Sequence, residues 1–263
     1  MRKFSKKLLA KALASSRLSL LPVRVRGGIA AGARWTLYPW TSYWRGTHEP
    51  ALQAALLAMG GGSIAGWSCW DLGAHFGLYS VGLAMRAGPT GQVAAFEPNP
   101  RSFARLKRHA RMNRLPWLKL YEAAASNESG SAEIYTYGNL DSTTTHLPYA
   151  GEVRKHACEA IPVRTVRLDE LVESGELRPP RFVKVDVEGH GHIAFDGMRN
   201  TLRAHRPAII AAFHSNEEIA GIVNLLTSLD YGWSPIGGSS PDEKPSIGTD
   251  FLFTPGQGQR PVR

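Results

Sequence analysis

Apolar and polar positions along this chain switch between a strand period and a helix period, and the switches set out an α/β order. Trp67–Trp70 is a short, mostly apolar run closing on Asp71, and Leu78 to Ala87 then reads as a helix. The unit repeats. Val93–Phe96 closes on Glu97, and Arg101–Arg114 follows with Phe103, Leu106 and Ala110 on one stripe. Leu118–Ala123 is a third strand, and Phe182–Val185 a fourth that closes on Asp186. Between them lie strands Ser131–Tyr137 and Val163–Leu168, a Thr-rich loop over 141–146 ending at His146, and a short helix from Asp169. Helices over 192–204 and 217–229 alternate with strands Ala208–Phe213, Tyr231–Pro235 and Phe251–Thr254. Upstream, Glu49 and Pro50 open a helix over 51–59 that Gly60, Gly61 and Gly62 end. This order predicts an α/β fold: a mostly parallel seven-stranded sheet, helices on both faces, and a small β insertion after the third strand.

The first strand ends in chemistry. After Asp71 come Gly73 and Gly77, four residues apart, where the backbone must turn sharply and let a ligand approach. A dinucleotide turn would read G-x-G-x-x-G and aim bare N–H groups at a pyrophosphate, which Asp71 would repel. A ligand carrying an ammonium and a sulfonium is attracted instead, and S-adenosylmethionine carries both. Glu97, at the end of the second strand, stands where an acid accepts both hydroxyls of a ribose. The small residues Ala124, Ala125 and Ser126 after the third strand leave room for a flat adenine. The first and fourth strands should lie side by side where strand order reverses, so Asp71 and Asp186 are expected to flank one ligand. The other reading of Asp186, an N-cap for the helix from His192, has to pass over Gly189 and His190.

Asp-Leu-Gly-Ala-His-Phe-Gly-Leu-Tyr-Ser (71–80), Ala-Phe-Glu-Pro-Asn-Pro (95–100) and Phe-Val-Lys-Val-Asp-Val-Glu-Gly (182–189) resemble the FkbM-type family of S-adenosylmethionine-dependent methyltransferases. Weaker matches are Gly46-Thr-His-Glu-Pro, Ala124-Ala-Ser-Asn-Glu-Ser-Gly and Arg167-Leu-Asp-Glu-Leu, in the family's order from about residue 46 to 254. The resemblance implies a Rossmann-like class I methyltransferase acting on hydroxyl oxygens of sugars, glycolipids or secondary metabolites. It implies cofactor contacts from Glu49, Asp71, Gly73, Ala74, His75, Phe76, Gly77, Glu97, Pro98, Asn99, Ala124 and Asp186. A general base is expected from the turn 186–192, with His190 as first candidate and Asp186 and Glu188 as rivals; the plain alternative leaves His190 facing solvent. One departure stands out. The family's pattern has a Glu two residues after Gly189, and this chain has Gly191, so His190, His192 or no group takes that carboxylate's place.

Composition narrows the setting. The 263 residues, 43% hydrophobic and 20% charged, suffice for one sizeable core. The domain is expected over 46–254, after a basic extension and aromatic-rich lead-in over 1–45 and before a tail over 255–263. The two cysteines, Cys69 and Cys158, give neither zinc spacing nor a disulfide framework; no metal ligand is assigned and a reducing, cytoplasmic compartment is expected. No apolar run is long enough to span a bilayer. Residues 1–15 form a basic, one-sided pattern, read either as a frayed or packed terminus or as a weak peripheral membrane contact. Trp35, Tyr38, Trp40, Tyr43 and Trp44 read equally as a lid over the core or as the wall of an acceptor pocket. The net charge of +9 and the arginines of 101–114 admit an anionic partner. No exposed aromatics are expected to interleave with those arginines, so a solvated helix face and a small-molecule or glycan acceptor are preferred. An RNA methyltransferase, or a cofactor-binding protein without catalysis, is the second reading.

Overall fold

The computed structural model describes residues 21–38, 41–137, 142–144, 160–238, 240 and 243–256. The basic stretch 1–15, Trp40, His146, Cys158 and the tail from 257 lie outside the described residues.

A short hairpin of β1 (Pro22–Arg24) and β2 (Arg34–Thr36) opens the described chain, and α1 (Pro50–Ala58) follows with Pro50 in its first turn. The α/β alternation then begins: β3 (Ser68–Leu72), α2 (Leu78–Ala87), β4 (Gln92–Phe96), α3 (Pro100–Asn113) and β5 (Leu118–Tyr121). Asn99 caps α3, its side chain accepting from the Arg101 N–H at 2.9 Å. Phe103, Leu106 and Ala110 of α3 are buried while Arg101, Lys107 and Arg111 are exposed and form a solvated face; Arg105 instead lies over the Tyr38 and Phe76 rings.

After β5 the chain leaves the main sheet. β6 (Ala124–Ser126), β7 (Gly130–Tyr137), β8 (Ser142–Thr144) and β9 (Ala160–Arg167) form a separate four-stranded sheet in the order β6-β9-β7-β8. Here the structure corrects two expected boundaries: the third strand stops at Tyr121, and the last insertion strand starts at Ala160 rather than Val163. Ala124–Ser126 is not a bare exit but a strand parallel to β9.

α4 (Leu168–Glu173), β10 (Phe182–Val185), α5 (Gly191–Asp196), α6 (Arg199–His205), β11 (Ala208–Ala212), α7 (Asn216–Ser228), β12 (Tyr231–Ile236) and β13 (Asp250–Pro255) complete the chain. The helix expected over 192–204 is two helices. A Cβ on Gly197 would collide with the Ser126 carbonyl oxygen, so α5 ends pressed against β6. Asp169 then caps α6 from a distance, accepting from the N–H groups of Asn200 at 3.0 Å and Thr201 at 2.9 Å.

The main sheet has seven strands in the order β12-β13-β11-β10-β3-β4-β5, and β13 alone runs antiparallel to its neighbours. β10 lies directly beside β3, the expected switch point. Each sheet face buries its own core. Cys69, Val93, Ala95 and Phe182 pack with α1, α2, α3 and the lead-in; Trp70, Leu72, Ala94, Phe96, Val183 and Val185 pack with α4–α7. Trp35 and Tyr38 are core residues of the first face, and Trp35 stacks on His109 at 3.5 Å between ring centroids. The aromatic lead-in therefore divides: these two cover the core, and Tyr43 reaches the crevice described next. Among the described residues no helix is long and apolar enough to cross a membrane.

Candidate functional site

A cavity of about 300 Å³ opens at the switch point, beyond the carboxyl ends of β3, β4 and β10. Its floor is an ion pair that takes no part in its lining. Lys184, in the middle of β10, is paired in register with Asp71 of β3 and lies 3.4 Å from Asp71 Oδ1 and 3.6 Å from Asp186 Oδ2. Asp71 is fully buried and also accepts from Ser80 Oγ at 2.5 Å. Burial works against charge on Lys184, but Asp71 first, then Asp186 and Glu49, outweigh it and hold the ammonium protonated. Asp71 was expected to touch a ligand directly. It does not line the cavity; it neutralises the lysine below.

The turn after β3 is shaped by two glycines. Gly73 has φ 80°, and a Cβ there would collide with the Asp186 carbonyl oxygen, so the turn lies hard against the end of β10. Gly77 has φ 86°, with Leu106 of α3 where a Cβ would go. The N–H groups of Gly73 and Ala74 both donate to the Phe96 carbonyl, at 3.0 and 2.9 Å, which ties the turn to the end of β4. Beside that carbonyl is Glu97, buried and yet part of the cavity wall. Its Oε2 accepts from the His75 N–H at 2.6 Å and its Oε1 from the Asn99 N–H at 2.8 Å. Burial pushes the carboxyl up to about 7 against the pull of those two donors. Each oxygen keeps a second lone pair, so the group is built to accept further donors.

Tyr43, His48 and Glu49 wall the side nearest the lead-in. Tyr43 shares a hydrogen bond of 2.9 Å with His75 Nδ1, and the Tyr79 hydroxyl donates to Glu49 Oε2. Burial first, and the neighbouring Glu49 second, raise the Tyr43 phenol, so it stays a hydrogen-bonding hydroxyl. A side pocket of about 40 Å³ continues from here over Ala74, Phe76, Tyr79 and Lys184. Glu49, His75 and Glu188 all adopt positive φ, at 44°, 50° and 52°, so three non-glycine residues around one cavity carry backbone strain.

The opposite wall comes from the turn after β10. Asp186, Glu188 and His190 line the cavity, and His190 Nε2 lies 3.3 Å from Ser126 Oγ. His190, not Asp186, occupies the N-cap position of α5. His192 packs away from the cavity, against Gly221 of α7. Behind the two acids sits His214, with Nε2 at 3.4 Å from Asp186 Oδ1 and 3.8 Å from Glu188 Oε2, and Nδ1 at 3.6 Å from Glu218 Oε2. Burial lowers its basicity, but Glu218, Asp186 and Glu188 together push the imidazole up to about 9. Asp186, Glu188 and His214 offer ligand-type atoms within 4.8 Å of one another.

Of the expected residues, Glu49, Gly73, His75, Glu97, Pro98, Ala124, Asp186, Glu188 and His190 meet around the main cavity. Ala74 and Phe76 reach only its side pocket; Gly77 shapes the turn, Asn99 caps α3, and Asp71 lies beneath. Lys184, His214 and Glu218 join the site only in three dimensions: Lys184 lies inside the Phe-Val-Lys-Val-Asp strand, His214 just after β11 and Glu218 in the first turn of α7.

The family model described as "Methyltransferase FkbM domain" matches residues 71–232. The hexuronic acid methyltransferase AglP of Haloferax volcanii is 30% identical over 159 residues, 60% of this chain and 60% of that protein. The 2-O-methyltransferase NoeI of Sinorhizobium fredii is 28% identical over 153 residues, 54% of this chain and 61% of that one. The matches thus span about 60% of the length of these curated relatives. The crystal structure of methyltransferase FkbM from Methylobacillus flagellatus KT shares the fold, with a TM-score of 0.51 and 18% identity over 76% of this chain and 46% of that one. The α/β sheet is that of a Rossmann-like class I methyltransferase, and the chain belongs to the FkbM methyltransferase domain family.

Proposed function

We propose that the chain binds S-adenosylmethionine in the crevice between β3 and β10 and methylates a hydroxyl oxygen of a sugar. The observation that carries this reading is Glu97: a cavity-lining carboxylate at the end of the second main-sheet strand, each oxygen held by one backbone N–H and open to one more donor. Two vicinal ribose hydroxyls are such donors. The rest of the lining fits the same molecule. Ala123, Ala124 and Ala125 leave flat space beside Glu97 for adenine, and Glu49 and Asp186 suit an ammonium at the other end. When bound, S-adenosylmethionine supplies a methyl carbon activated by a sulfonium. The chain's part is to hold the acceptor oxygen in line with that carbon and to take its proton, with His190, Asp186 and Glu188 at hand.

A sugar acceptor is supported by the two curated relatives, one named for a hexuronic acid and one for a 2-O position. Calorimetry with S-adenosylmethionine, S-adenosylhomocysteine and NAD tests the cofactor: heat is expected from both sulfur nucleosides and none from NAD. Tritiated methyl transfer into glucuronides and into RNA tests the acceptor, with label in RNA alone overturning the sugar reading. The one-sided basic pattern of residues 1–15 supports a weak peripheral contact with an anionic membrane. A chain lacking them is expected to bind cofactor unchanged and to sediment less with anionic liposomes at low salt.

A further inference from the structure

The carboxylate that reaches Gly191 comes from another helix. Glu218 is fully buried on α7, and backbone donors occupy both its oxygens: the Gly191 N–H donates to Oε1 and the His214 N–H to Oε2, each at 2.8 Å. Ser215 caps α7, its Oγ accepting from the Glu218 N–H at 3.1 Å. Ser215 to Glu218 has the spacing of a capping box, whose Glu turns back on the N–H of the cap residue itself. Here it turns one residue further, to His214, and across to the start of α5.

The space for that carboxylate exists because residue 191 has no side chain. A Cβ there would collide with Glu218 Oε1 and stand 3.0 Å from Ile222 Cδ1. Gly191 is the first residue of α5 and has no left-handed φ, so the backbone does not require a glycine. The approaching carboxylate does. From Glu218 the contacts continue through the His214 ring to Asp186 and Glu188, the two acids of the cavity wall.

We propose that Glu218 is a positioning residue for methyl transfer: it replaces, from α7, the carboxylate that the motif lacks at position 191, and through His214 it holds Asp186 and Glu188 in place. The inference rests on the methyltransferase reading above. The two backbone bonds alone would make Glu218 a staple between α5 and α7. The contact with the ring is what a staple does not need, and it gives the experiment its discriminating readout.

The experiment compares the full chain with Glu218→Ala, Gly191→Glu/Glu218→Ala and His214→Gln. Each is followed by thermal melting, S-adenosylhomocysteine calorimetry, NMR titration of the His214 imidazole, and tritiated methyl transfer to p-nitrophenyl β-D-glucuronide. In Glu218→Ala, kcat is expected to fall about tenfold or more, as misplaced reacting groups predict, with a smaller loss of nucleoside affinity because Lys184 still anchors Asp186. The His214 midpoint is expected to drop by roughly 1 unit on losing one carboxylate neighbour. The double variant, with its carboxylate returned from position 191, should recover both. Wild-type kcat in a folded Glu218→Ala protein overturns the proposal, as does a double variant that melts normally and recovers neither readout. Should Glu218→Ala fail to fold, His214→Gln, which leaves both backbone donors to Glu218, must show the same loss of kcat; full kcat there overturns the proposal too. If the native chain binds the nucleoside without methylating the glucuronide, that acceptor is wrong, and the same comparison of kcat is read on a sugar hydroxyl that the native chain does methylate. Activity that chelation abolishes and a divalent cation restores also overturns it, since Asp186, Glu188 and His214 would then act as ligands.

Discussion

Lys184 and Asp71 face each other in register on adjacent parallel strands, 3.4 Å apart and closed to water. A buried pair of this kind contributes little against a well-packed apolar pair, but removing one member strands the other. Lys184→Met leaves Asp71 with only Ser80 and is expected to cost about 3–5 kcal/mol, measured by denaturant unfolding. Asp71→Asn/Lys184→Met should cost clearly less. Equal costs in the single and double variants would show that the two charges do not depend on each other.

Glu97 gives cofactor affinity a pH dependence whose direction follows from its burial. Its carboxyl titrates at about 7 in the ligand-free protein, above the ordinary 4.5, and the ionised form is the one that accepts two hydroxyl donors. Affinity for S-adenosylhomocysteine should therefore rise with pH and level off above 7, being about tenfold weaker at pH 6 than on the plateau. For stability of the unliganded fold the sign is opposite. The contribution of the neutral carboxyl is complete below about 4.5, the unfolded value, and is lost as pH rises through about 7. Calorimetry across pH 5.5–8.5 on the native chain and on Glu97→Gln checks this; a flat profile in the native chain refutes it.

Gly73→Ala tests the turn. Its φ of 80° is strained for any side chain, and the new methyl would meet the Asp186 carbonyl at the end of β10. The left-handed conformation alone costs about 1–3 kcal/mol, and relief requires the turn to lift off the cavity. Cofactor affinity and melting temperature should both fall. Ala74→Gly, next to it in the same turn, serves as the control for backbone loosening.

Legibility in the sequence followed how local each interaction is. Asp71, Glu97 and Asp186 announce themselves because a strand-end acid before a turn residue is a pattern of neighbours, and β3–α2–β4 could be laid out from it. Lys184 could not be read that way. One lysine in an apolar strand says nothing of its partner, and Asp71 becomes that partner only through the β3–β10 register. For Asp71 the strand end is legible, but the lysine that claims its charge arrives from the fourth strand. Glu218 was hidden inside a helix-start pattern, since Ser215-x-x-Glu218 explains itself without reference to Gly191. The break between α5 and α6 depends on β6 pressing against Gly197, a contact between segments about seventy residues apart.

The last prediction concerns the proton. A sugar hydroxyl is a weak nucleophile, and a base within reach of it contributes about 10²–10⁴-fold. His190, Asp186 and Glu188 all line the cavity, and their differences decide the order of test. Asp186 is engaged by Lys184 at 3.6 Å and by His214 at 3.4 Å, so its two oxygens are already taken up by neighbouring side chains. Glu188 is 3.8 Å from the same imidazole, but burial outweighs it and raises the carboxyl above its ordinary range, which leaves Glu188 the stronger rival of the two acids. His190 Nε2 lies 3.3 Å from Ser126 Oγ on the cavity wall, and imidazole is the side chain best suited to take up and return a proton near neutral pH. His190→Gln is therefore expected to lower kcat by about 10²-fold while leaving S-adenosylhomocysteine affinity within about twofold. The deficit should shrink as pH rises and the acceptor hydroxyl ionises unaided. Asp186→Asn, by contrast, should weaken nucleoside binding as well as turnover, since that carboxylate lies between the cavity and Lys184. Full activity in His190→Gln removes the histidine from the reaction and passes the proton to Glu188 or Asp186, which Glu188→Gln then separates.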